Sequence, residues 1–112
     1  MAKFITIGYG DSAGYERTDP ALREAAHAQD ARLEAAGAVI GVAGKAVQVR
    51  NPQGRGMQVT QGAYLQSAQP LAGFALIEAA NLEEAVRMVA GTPCAVADGV
   101  VEVWPLETIS GA

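Results

Sequence analysis

Residues 73–91 read GFALIEAANLEEAVRMVAG, and the change of rhythm inside this stretch decides the fold. Phe74, Leu76 and Glu78 alternate with Ala75 and Ile77, the period-two pattern of a strand. From Asn81 the period lengthens. Asn81 offers a side-chain oxygen to the first turn, and Glu84 three residues on can reach back to complete a capping box. Leu82, Ala85, Val86 and Val89 then form an apolar stripe, which Gly91 and Pro93 end.

Working outward, VVEVWP reads as a last strand closed by Pro105, while GAVIGV, KAVQVR and GMQVT read as three short strands upstream. The last two flank NPQGRG, whose Asn-Pro and two glycines predict a hairpin. At the start, KFITIGY (Lys3 to Tyr9) is a strand candidate, followed by turn residues. Asp19 is placed to cap a helix with Pro20 at its first position, and Gly37 to stop it after Ala36. Helical spacing puts Leu22, Ala25, Ala26, Gln29, Leu33 and Ala36 on the side expected to meet a sheet. The order β, α, several β, α, β over one domain, residues 1–112, predicts an α+β ferredoxin-like sandwich with an extra β-hairpin and both helices on one sheet face. Ile5, Ile7, Val47, Val49, Ile77, Val101 and Val103 are all apolar strand positions, and two helices cannot cover both sides. A bare apolar sheet face predicts a partner, most simply a second copy related by a two-fold axis.

Half of the 112 residues are apolar, enough for one buried core. The single cysteine, Cys94, has no internal disulfide partner, and the opening MAKFITIGYG is too short in apolar run for a leader or a membrane span. A soluble protein of the reducing cytoplasm is the expectation. A formal charge of −4 with scattered Lys and Arg offers no basic face for phosphates, so nucleic acid is not an expected partner. One His and one Cys without close ligand spacing predict no metal site, and no cofactor motif is present. GYGDSAG, residues 8–14, lacks the GxGxxG spacing and the Lys-Ser/Thr pair of a phosphate loop, and reads as a loop at a pocket mouth.

The element order, the helix bearing REAAHAQDARLEAAG, the segment TQGAYLQSAQPLAGF (Thr60 to Phe74) and the ending VEVWPLE together resemble the YCII-related proteins, in particular their DGPF subgroup. In that subgroup the segment after the hairpin runs T-D-G-P-F-x-E-x-K-E-x-L-G-G-Y. Thr60, Gly62, Leu71 and Gly73 match in type, and Tyr64 and Phe74 keep aromatic character. Gln61 stands where the pattern has Asp, Ala63 where it has Pro, Gln66 and Gln69 where it has Glu, Ala68 where it has Lys, and Trp104 where the family ending has Arg. The resemblance implies a dimeric α+β barrel, and in some members a His-Asp acid-base pair acting on small rings or in dehalogenation. It also implies, for some members, an association with transcriptional sigma factors.

His27 is the only histidine and matches the first-helix His common in that family. With Asp30 three residues on, it is the catalytic candidate, an imidazole able to exchange protons near neutral pH. The wheel sets His27 about 140° from Leu22, so it also reads as a surface histidine. Gln61 accepts and donates hydrogen bonds but cannot hold a proton in transit. Tyr9, Gln61, Tyr64 and Gln69 are therefore the substrate-binding candidates, neutral polar groups and flat rings suited to an uncharged or aromatic ligand. Two functions follow: a small enzyme of isomerisation or elimination resting on His27, and a non-catalytic binding or accessory homodimer whose motif charges have been lost.

Overall fold

The structure, a computed structural model, describes residues 1–108; the end of the expected domain, residues 109–112, lies outside the described residues. Along the chain run β1 (Ala2–Tyr9), α1 (Ser12–Arg17), α2 (Pro20–Ala35), β2 (Val39–Val42) and β3 (Val47–Arg50). After a short 3-10 turn come β4 (Gln58–Gln61), β5 (Leu71–Ala79), α3 (Leu82–Val89), α4 (Pro93–Val96) and β6 (Val100–Pro105). Strands β2-β5-β1-β6 form one antiparallel sheet in that order, with consecutive β1 and β2 separated by β5. This is the ferredoxin-like α+β arrangement. Strands β3 and β4 form a separate two-stranded sheet, the expected hairpin.

The local signals act largely as their chemistry dictates. Asp19 accepts a hydrogen bond from the amide of Ala21 at 2.8 Å, Pro20 opens α2, and Gly37 ends it with a φ of 111°, a left-handed conformation that costs a glycine nothing. Asn81 Oδ1 accepts from the Glu84 amide at 2.9 Å. The return arm of the capping box lands one residue early, with Glu84 Oε2 accepting from the Ala80 amide at 3.3 Å. Neither α1 nor α4 was visible in the apolar pattern, since one is six residues long and the other four.

Register sorts the strand residues into faces. Phe4 lies opposite Ile77, Thr6 opposite Ala75 and Val103, and Gly8 opposite Gly73 and Val101. These turn toward the helices, where Phe4, Ile77, Ala79, Ala85 and Val89 form the buried core. Burying one such side chain contributes about 1.5–3 kcal/mol. Ile5 lies opposite Leu76 and Trp104, Ile7 opposite Phe74, and Val39 opposite Leu76, all on the face that no helix covers. Ile5, Val39, Phe74, Leu76 and Trp104 are exposed there. Of the apolar strand positions read from the sequence, Ile5 and Ile7 thus belong to the bare face, whereas Ile77, Val101 and Val103 pack under the helices.

The hairpin stands away from this body. Val47, Val49 and Val59 are exposed on it, and the radius of gyration is 16.2 Å, against about 13 Å for a compact chain of this size. Among the described residues no helix is long and apolar enough to cross a membrane.

Candidate functional site

Where the sheet's inner face passes from Phe4 to Gly8, its side chains run out. Gly8 pairs with Gly73, Thr6 with Ala75, and the space left beneath α2 is a cleft of about 550 Å³. Ile40 and Val42 from β2, Leu33 from α2, and Val89 and Ala97 from the helical side give it mostly apolar walls. Cys94 of α4 reaches the floor. A Cβ on Gly8 would sit 2.9 Å from Cys94 Sγ, and one on Gly73 would sit 2.5 Å from the Gly41 carbonyl oxygen, so both glycines are needed for these close approaches.

One corner of the cleft is polar. Asp11 caps α1 by accepting from the Gly14 amide at 2.8 Å, and this seats Tyr15 over the cleft mouth. Tyr15 Oη lies 2.7 Å from His27 Nε2, a bond that joins α1 to α2. The two rings meet edge to face at 5.8 Å between centroids, and the Arg23 guanidinium lies 4.9 Å from the Tyr15 ring centroid. Asp30, one turn beyond His27, also lines the cleft. Desolvation raises its carboxyl above the ordinary aspartate value, with the His27 charge pulling the other way and Glu34 adding to the rise. Burial likewise pushes the Cys94 thiol up, helped by the charge of Asp30. Among the described residues no group of three or more His, Cys, Asp or Glu could hold a metal ion.

Of the residues singled out from sequence, the structure brings His27 and Asp30 together at the cleft. Tyr9 goes elsewhere. Its hydroxyl donates to Glu102 Oε1 at 2.6 Å, and Glu102 is the register partner of Ile7, so the pair lies on the uncovered sheet face. That bond, with desolvation and the Glu102 charge, raises the Tyr9 phenol above its usual value. Tyr64 lies beside the hairpin with Arg50 5.9 Å from its ring centroid, Gln61 ends β4, and Gln69 donates to the Asp98 carbonyl at 2.9 Å. Within one chain no residue from Thr60 to Leu71 lines the cleft, whose cover is α1 and α2, although Ala72, Gly73 and Phe74 at the end of that stretch do. Tyr15 and Cys94 are among the lining residues that were not weighed for the site from sequence. The signal for Tyr15 was its place directly after residues 8–14, the loop assigned to a pocket mouth; for Cys94 the sequence carries none, because only the fold brings it under Gly8.

The YCII-related domain matches residues 2–110. The chain belongs to the YCII-related family. The antiparallel α+β sheet is compatible with that membership. No curated protein matches the chain significantly.

Proposed function

We propose that this YCII-related protein is a homodimer that takes up a small uncharged ring compound between its sheet and helices and moves a proton on it with His27. The single observation that carries this reading is the Tyr15–His27 pair, 2.7 Å apart, at the polar corner of an otherwise apolar cleft that also holds Asp30. A titratable cluster in a desolvated hollow is the usual setting of proton-transfer chemistry. No Lys or Arg lines the cleft among the described residues, and the Arg23 guanidinium beside its polar corner is stacked on the Tyr15 ring. A neutral ring, isomerised or losing a leaving group, fits best. Thr60, Gly62, Leu71 and Gly73 support placing the chain near the DGPF subgroup, with its acidic positions replaced by glutamine.

Support for the dimer is the uncovered face carrying Ile5, Phe74, Leu76 and Trp104, together with a hairpin arm of a kind that needs packing to be stable. Two such sheets face to face would form an α+β barrel. Sedimentation of the wild type should give twice the chain mass, and Trp104→Glu should shift it to the monomer. A monomer at micromolar concentration would remove the barrel.

His27 as a residue is exposed, which favours one second reading, uptake of the ligand without turnover. Native mass spectrometry of the purified protein identifies a retained compound. Turnover of that compound that His27→Gln leaves undiminished would take His27 out of the chemistry.

A further inference from the structure

We propose that Tyr15 is the group that meets the ligand's oxygen, and that His27 acts through it as the proton acceptor on the solvent side. This rests on the reading of the cleft given above and assigns its roles and its ligand class.

Three observations carry it. First, His27 Nε2 is already engaged by Tyr15 Oη at 2.7 Å, so a ligand oxygen approaching that nitrogen would have to displace the phenol. The phenol oxygen has the capacity for a further hydrogen bond, because a hydroxyl donates one and accepts two. Second, Tyr15 is half-buried over the cleft whereas His27 is exposed, so the pair leads from the cleft toward water. Third, the phenol is held from several directions. Asp11 caps its helix, the Thr18 amide donates to the Tyr15 carbonyl at 3.2 Å, and Arg23 stacks on its ring. Gly14, within α1, packs so closely on the end of α4 that a Cβ there would lie 2.7 Å from the Ala97 carbonyl oxygen. A fixed phenol is the better contact group for a reaction that depends on position.

The step balances without any other reactant. The O–H of a bound phenol or enol passes its proton to Tyr15 Oη as the Tyr15 proton passes to His27 Nε2. The products are the ligand oxyanion and an imidazolium, and Tyr15 ends as it began. The charged and titratable groups around the pair are Asp11 on the α1 side, Arg23 and Asp30 on α2, and Cys94 from α4. Of these, Asp30 lies one turn from His27 on the same helix. The ligand class is therefore a small, neutral ring bearing an acidic hydroxyl.

The probe is 4-nitrophenol, colourless as the phenol and yellow as the phenolate, added to the full-length protein at about pH 6. Occupancy of the cleft is read separately, as protection of Cys94, the only cysteine, from alkylation. In the wild type the probe should protect Cys94 and gain phenolate colour on binding. Tyr15→Phe keeps the ring and its stacking but lacks the hydroxyl, so protection should persist while the colour gain falls roughly tenfold. His27→Gln, the second variant, should lose the colour in the same way, and circular dichroism checks that both variants are folded. Protection with an equal colour gain in Tyr15→Phe would overturn the relay and leave the binding reading intact. Failure to protect Cys94 in the wild type would overturn both.

Discussion

The helix-facing side of the sheet has two ends, made by the same three strands and built in opposite ways. At one end Phe4, Ile77 and Ala79 meet Ala85 and Val89 of α3 and exclude solvent, Ile77 being only 1% exposed. Two to four residues further along β1, the paired positions shrink to Thr6 with Ala75 and Gly8 with Gly73, and α2 spans a hollow instead of a packed floor. The strands are shared, so what separates core from site is the volume of the strand side chains together with the helix laid over them, α3 at one end and α2 at the other. The hollow lies above glycines that cannot be enlarged, which ties the absence of side chains there to the geometry of the strands themselves.

The comparison can be broken most severely at the packed end. Ile77→Ala removes a fully buried side chain and should cost about 3 kcal/mol, read by chemical denaturation. At the hollow end, Gly73→Val should cost about 1–3 kcal/mol, because the new Cβ, 2.5 Å from the Gly41 carbonyl, pushes β2 away from β5. Ala75→Leu sharpens the contrast. It fills vacant space, so stability should change by less than about 1 kcal/mol, while protection of Cys94 by a ring ligand is lost.

The smallest effect belongs to Asp30. Its folded-state carboxyl titrates above the ordinary value of 3.8 because the cleft desolvates it. Ionisation is thus harder in the folded chain than in the unfolded one, and stability falls as pH rises from about the ordinary aspartate value through the raised one. Asp30→Asn should abolish that slope. Discounted for the solvent that still reaches the carboxylate, the gain at neutral pH should be no more than about 0.5 kcal/mol, measured as a small rise in Tm.

The same contrast explains what could be read from the sequence. Alternation in residues 73–79 and the Asn81 cap gave β5 and α3 nearly to the residue, and Asp19, Pro20 and Gly37 gave α2. These features depend on local backbone chemistry, which a sequence displays directly. The orientation of α2 was less legible. Leu22 was expected to face the sheet and is 55% exposed, whereas Arg23 and Asp30 turn inward to become half-buried beside Ala26, Gln29 and Leu33, which were expected there. An apolar stripe marks a helix's inner side only where that side meets a floor of side chains. Over a cleft the inner side is partly polar, so the rule fails where the function lies. The pairing of Tyr15 with His27 was illegible for another reason, since a six-residue helix shows no period of its own.

How α2 is held has a kinetic consequence. Because the cleft separates much of it from the sheet, α2 rests mainly on α4, and besides the Tyr15–His27 bond to α1 it is tied to α3 by the Gln29 side-chain amide, which donates to the Met88 carbonyl at 2.9 Å and is steadied by Arg32. Backbone amides of α2 should therefore exchange with deuterium sooner than those of β1 and β5. Gln29→Ala should hasten that exchange selectively, opening by transient excursions of one helix the doorway through which an occupant enters and leaves.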